Sequence, residues 1–123
     1  MPQAFPKAAR LLGRGEFRRV YEEGQRRSTS LCAIFFRPNG LPRTRVGITA
    51  SGRLGGAVVR NRVKRRLREV FRLHRAAIPG GWDIVLNPRA AVAKVPFPTL
   101  VREILRLFPH QAPPGLSGGS RSQ

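Results

Sequence analysis

No glycine or proline interrupts the chain between residues 57 and 77, and Pro79 followed by Gly80-Gly81 ends that stretch. A segment so long and so free of breakers predicts a helix. With Val59 at zero and about 100° per residue, Val59, Val63, Leu67, Val70, Phe71 and His74 gather in one arc. That arc spans about 120°, wide enough to bury against a sheet. Asn61, Lys64, Arg65, Arg68, Arg72 and Arg75 fall in the opposite arc, with Arg60 and Arg62 on its two borders. One acid, Glu69, interrupts the flank. Arg66 falls on the apolar side, where it has either to snorkel or to mark a drift in register.

Like charges at i, i+3 and i+4 cost a few tenths of a kcal/mol per pair. A helix that needed only solubility would mix signs, so this face is read as a docking surface for a polyanion. The whole chain agrees: 24 Lys and Arg stand against 6 Asp and Glu in 123 residues, a formal net charge of +18. A domain repelling itself so strongly belongs beside DNA, RNA or an acidic membrane. Arginine forks suit phosphate bidentately, and Asn61 can reach a base edge or a 2′-hydroxyl. The loop from Gly52 to Gly56, with Arg53 inside it, allows phosphates to approach the unpaired amides at the helix start.

The remaining elements are shorter. Phe17, Val20 and Tyr21 have amphipathic helical spacing within residues 14–24, and Gly24 sits where a left-handed residue usually closes a helix. Residues 30–37 read as an apolar strand ending at Pro38, and Asn39-Gly40 with Pro42 as a turn or hairpin loop. Residues 45–51 form a second strand and residues 82–86 a third. Leu100, Val101, Ile104, Leu105 and Phe108 define a last helix over residues 97–108. The order helix–strand–strand–helix–strand–helix predicts a single-domain α/β (α+β) sandwich. Its bounds are residues 10–108, after a flexible N-terminus (1–9) and before a disordered tail (109–123) poor in apolar residues.

Protein-borne catalysis has no visible site. The acids are Glu16, Glu22, Glu23, Glu69, Asp83 and Glu103, three on the first helix and the rest scattered, so no carboxylate cage for a metal is readable. His74 lies on an apolar face and His110 in the tail; Cys32 lies in an apolar strand and reads as packing. A single cysteine makes no intrachain disulfide. No apolar run approaches the ~18 residues of a membrane span. The first ten residues lack the apolar core of a secretory signal, so a cytoplasmic location is the default expectation.

The block Arg45-Val-Gly-Ile-Thr-Ala-Ser51, followed by Gly55-Gly-Ala-Val-Val-Arg60-Asn61-Arg62-Val-Lys64-Arg65-Arg66-Leu-Arg68-Glu69, resembles the signature of the bacterial ribonuclease P protein. The likeness extends to Arg10-Leu11, Glu16-Phe17, Val20-Tyr21, Gly24 and Trp82-Asp83-Ile84-Val85. It implies a non-catalytic subunit of a ribonucleoprotein endoribonuclease that removes the 5′ leader of precursor tRNA. Arg53, Arg60, Asn61, Arg62, Lys64, Arg65 and Arg68 would bind the catalytic RNA. Phe17, Tyr21 and Phe35 would line a cleft for the single-stranded leader. Spacing alone reads Phe17 and Phe35 as core; the resemblance is what assigns them to a cleft. It also implies a left-handed crossover from the second strand through the basic helix to the third, against the general preference. No cofactor is expected on the protein alone, and Mg2+ is expected in the active site of the RNA. The family's loop before the helix carries two lysines and then Gly-Asn; Gly52-Arg53 and Gly55-Gly56 depart from it here.

Two other readings share the charge. A ribosomal or ribosome-assembly protein would have the cationic helix but no need of an aromatic cleft. A DNA-binding protein would want more base-reading side chains than Asn61 and a helix-turn-helix partner, so DNA is not an expected partner. A membrane surface would compete with the core for the apolar face, so no membrane partner is expected.

Overall fold

The computed structural model describes residues 13–113: α1 (Arg14–Glu23), β1 (Gln25–Ser28), β2 (Cys32–Pro38), β3 (Arg45–Ile48), α2 (Ala57–His74), β4 (Trp82–Pro88) and α3 (Phe97–Leu107). Short 3-10 turns occupy Gly52–Leu54, Arg75–Ala77 and Ala90–Ala93. The four strands make one sheet in the order β1-β2-β4-β3. β1 and β4 flank β2 antiparallel, and β3 runs parallel to β4. The parallel pair is joined through α2, the connection that the resemblance singles out.

Period-2 alternation divides the sheet between two cores. Ile34, Phe36, Val46, Ile84 and Leu86 face α2 and α3, where they pack with Val63, Leu67, Val70, Phe71, Leu100 and Ile104. Val85 and Phe35 face the other way, toward Val20 and Phe17 of α1. One helix therefore covers one face and two helices the other. Val63, Leu67, Val70 and Phe71 of the apolar arc of α2 are buried as its periodicity predicts, while Val59 and His74 at its two ends are half-buried.

Three expectations need correction. β1 is a fourth strand that the sequence reading misses; all four of its residues are exposed, so no apolar alternation marks it, and it forms because Gln25–Ser28 pairs with the edge of β2. Asn39-Gly40 makes a turn, with Gly40 at φ 72°, but not a hairpin, because β4 lies between β2 and β3. Gly24 closes α1 in an extended conformation, φ −92° and ψ 172°, not a left-handed one. It is glycine for room: a Cβ there would lie 2.5 Å from the Val20 carbonyl oxygen and 2.7 Å from that of Phe36.

The packed structure also runs past residue 108, where the sequence reading ends the domain. Pro109 and Pro113 are buried, and the Gln111 carbonyl accepts the indole N–H of Trp82 at 2.9 Å. That indole is packed edge-on to Phe36, so residues 109–113 close one end of the core. The expectations for residues 1–9, Arg10-Leu11 and 114–123 lie outside the described residues. At the edge of the sheet, Arg27 donates to the carbonyls of Leu107 and Phe108, capping the end of α3, with its guanidinium 4.8 Å from the Phe36 ring. A cation among the last carbonyls of a helix offsets their unpaired dipoles.

Candidate RNA-binding surfaces

Because the apolar arc of α2 is committed to the sheet, its cationic arc faces outward. Asn61, Arg62, Arg65 and Arg68 are exposed, and Arg60 and Lys64 are half-buried. Five of the six acids are engaged elsewhere: Glu23 with Arg37, Glu16 and Asp83 with Arg45, Glu69 with Arg72, Glu103 with Arg106. Among the described residues, Arg53, Arg60, Lys64, Arg65 and Arg68 pair with no acid. The field of this face is thus left uncompensated within the molecule. Arg72, at its far end, is neutralised by Glu69 and is held as part of that pair. Val58, 82% exposed in the first turn, adds an apolar spot beside the cations.

Two arginines of α2 also serve the fold. The Arg62 Nε donates to the Ala93 carbonyl at 2.7 Å, which leaves the rest of its guanidinium free. Arg66, the residue that did not fit the helical wheel, donates to the Val95 carbonyl and lies 6.0 Å from the Phe97 ring. It reaches the rim of the core, where burial, then the charge of Arg62, lowers its pKa from the ordinary value. No drift of register is involved, since Val63, Leu67 and Val70 on either side are fully buried.

On the opposite face of the sheet, α1 leaves a groove. The Phe17 ring lies directly over Gly47 of β3, where a Cβ would come within 2.4 Å of the ring tip. Gly47, Val85 and Phe35 are neighbours across β3, β4 and β2, so the glycine makes space for Phe17 on the sheet. Tyr21, one helical turn on, is 38% exposed. Its ring meets Phe35 edge-on, centroids 4.8 Å apart at 77°, and the Arg26 guanidinium lies 5.9 Å from the Phe35 ring. The three aromatic residues of the sequence reading are therefore brought together. Phe17 and Phe35, half-buried, are at once part of the small core under α1 and part of the wall beside Tyr21.

The groove extends beyond them. Tyr21 donates its hydroxyl to the Asn87 side-chain oxygen at 2.8 Å, and Thr49 Oγ1 lies 2.7 Å from the same oxygen. Tyr21, Thr49, Ser51, Arg53, Leu54, Asn87 and Arg89 line one concavity that leads from the aromatic rings to the loop before α2. Thr49, Asn87 and Arg89 are not among the site residues of the sequence reading. Their only signal is register: Asn87 pairs with Ala33, and the Thr49 amide bonds Leu86, placing both next to Tyr21. Arg53 belongs to this concavity as well as to the start of the basic helix, with its amide bonded to Ser51 Oγ.

No group of three or more His, Cys, Asp and Glu side chains among the described residues is arranged to hold a metal ion. Burial pushes the Cys32 thiol up to about 12, against the lesser influence of a backbone hydrogen bond at Asn87 and the charge of Arg89. It stays protonated at neutral pH and is no nucleophile. No helix among the described residues is long and apolar enough to cross a membrane.

Comparison with known proteins returns one family. The profile described as Ribonuclease P matches residues 5–111. The ribonuclease P protein component of Caldanaerobacter subterraneus subsp. tengcongensis is 39% identical over 102 residues, covering 83% of this chain and 88% of that protein. That of Thermotoga maritima is 35% identical over 112 residues, covering 88% and 96%. Among solved structures, the Thermotoga maritima protein superposes with a TM-score of 0.75 at 35% identity, covering 80% of this chain and 94% of the other. The Staphylococcus aureus protein gives 0.73 at 27% identity, covering 82% and 93%.

Proposed function

The chain belongs to the ribonuclease P protein family, and from that premise we propose that it carries two RNA contacts on opposite faces of its sheet. It is the protein subunit of the ribonucleoprotein endoribonuclease, and its partner is the ribonuclease P RNA. Family membership supports this reading, and nothing favours a ribosome-assembly role. Arg53, Arg60, Asn61, Arg62, Lys64, Arg65 and Arg68 dock on the partner RNA. Phe17, Tyr21 and Phe35 hold the unpaired 5′ leader of precursor tRNA, with Arg26, Asn87 and Arg89 as neighbours. The compact domain comprises the described residues to 113.

The observation that carries this reading is the sidedness of the molecule. The cationic arc of α2 lies on one face of the sheet, and the aromatic groove beside α1 on the other. A polyanion held by the first leaves the second open. Aromatic faces stack on bases of any sequence at about 1–3 kcal/mol each, which suits a leader whose sequence differs among precursors. Hydrolysis of the phosphodiester takes place in the RNA, where Mg2+ supplies electrophilic assistance. This chain's residues bind, orient and neutralise crowded phosphates around that site.

Reconstitution tests this directly. With a bacterial ribonuclease P RNA at low Mg2+, adding the protein is expected to accelerate leader removal, and no acceleration over the RNA alone refutes the assignment. Tyr21→Ala is expected to weaken binding of precursor tRNA by about 1–3 kcal/mol, the worth of one stacking ring, and to leave mature tRNA unaffected. An equal loss for both would make the ring structural.

A further inference from the structure

We infer that Arg45 and Glu16 are positioning residues for the leader groove, fixing the seat of α1 on the sheet; this rests on the leader reading above. Arg45 opens β3 and forks in two directions. Its Nε and Nη2 donate to the two oxygens of Asp83 at 2.9 and 2.7 Å. Its Nη1 donates to Glu16 Oε2 of α1 at 2.8 Å. Asp83, 2% exposed, also accepts from the Asn39 side chain at 2.9 Å, which ties the β2–β3 loop to the same carboxylate. Hydrogen bonding to Asp83 is the largest influence raising the Arg45 pKa above its ordinary value.

The position of this bridge gives it more than a general stabilising role. Glu16 immediately precedes Phe17, and Arg45 lies two residues before Gly47 on the same face of β3. The Phe17 ring rests on Gly47, so the ion pair and the ring contact are adjacent fastenings of one helix to one strand. Farther along α1, Val20 is buried with Val85, and Gly24 lies against the Phe36 carbonyl. Tyr21 projects between these fastenings toward Phe35 and Asn87. A helix pinned at its C-terminal end and released at its first turn pivots. The ring that moves with that turn is Phe17, and the groove width beside Tyr21 changes with it. A planar fork is required, since a lysine ammonium in place of Arg45 could neutralise Asp83 but not span to Glu16 with matched geometry.

Two cuts from the two ends test the bridge. Glu16→Gln retains an oxygen for the Gly13 amide, which Glu16 caps through its other oxygen at 3.1 Å, and removes the charge that binds Arg45. Arg45→Lys keeps a cation for Asp83 and removes the span. In the reconstituted holoenzyme each is expected to lower the ratio of precursor to mature tRNA affinity by about tenfold, the change made by 1.4 kcal/mol. KM for precursor rises, while kcat and affinity for the ribonuclease P RNA hold. The double variant is expected to lose no more than either single one, because both cut the same link.

Wild-type ratios in both single variants overturn the inference, as does a parallel fall for precursor and mature tRNA, which marks general loss of structure. Additive losses in the double variant overturn it too. Tyr21→Ala in the same assay separates the two levels of argument. If it lowers the ratio while the bridge variants do not, the bridge alone is refuted. If it also leaves the ratio unchanged, the leader reading falls and the bridge with it.

Discussion

Replacing Arg60, Lys64 and Arg65 together by glutamine is expected to weaken assembly with the ribonuclease P RNA and to flatten its dependence on salt. Each phosphate contact contributes about 0.7–0.9 to the slope of log affinity against log salt concentration. Loss of three lowers the slope by roughly 2–3. Between about 50 and 200 mM salt, wild-type affinity then falls by roughly 20–40-fold more than that of the variant. The three residues pair with no acid among the described residues, so their removal frees no carboxylate to repel the RNA. Removing Arg14, Arg19 and Arg102, three exposed cations of α1 and α3 that also pair with no acid among the described residues, is the matching control. Filter binding across a salt series separates the cases. An equal change of slope in the control would mean that bulk charge, not this helix face, docks the RNA.

Asp83→Ala is expected to produce the largest loss of stability. It removes the acceptors of two Arg45 bonds and one Asn39 bond at a site only 2% exposed. Breaking a buried pair by deleting one partner costs about 3–5 kcal/mol, because the other charge is left without compensation. Here the lower end applies, since Arg45 keeps Glu16 and its side chain is 21% exposed. About 3 kcal/mol in a domain of this size lowers Tm by on the order of 10–20 °C. Thermal unfolding followed by circular dichroism measures it. The double variant Arg45→Met with Asp83→Leu is expected to recover most of the loss, since an apolar pair often replaces a buried ion pair at little cost. A double variant as unstable as Asp83→Ala would show that shape, not charge, is at stake.

How much of this was legible beforehand depended on whether a residue's partners lie near it along the chain. The buried face of α2 could be read, because its burial repeats at the helical period and its neighbours one turn away carry the signal. β1 could not, since an edge strand of Gln25–Ser28 has both faces in solvent and is defined by its pairing with β2. Phe17 and Phe35 were ambiguous for a physical reason: half-buried rings are wall and core together, and spacing does not divide them. The groove beyond Tyr21 was invisible, because the Tyr21–Asn87 bond spans 66 residues and depends on sheet register. Gly24 read only as a helix stop and Gly47 drew no reading of its own, whereas both admit another group closely. Arg66 looked like an error of periodicity because a wheel ignores how far a long side chain can reach.

The grip of Arg62 and Arg66 on the carbonyls of Ala93 and Val95 has a practical consequence. A residue-by-residue alanine scan along α2 will confound two effects at these sites, since each truncation also loosens the segment that delivers the chain into α3. Diminished RNA retention after Arg62→Ala is therefore ambiguous on its own, whereas Arg65 and Arg68, whose side chains bond to nothing among the described residues, report contact with the partner RNA cleanly.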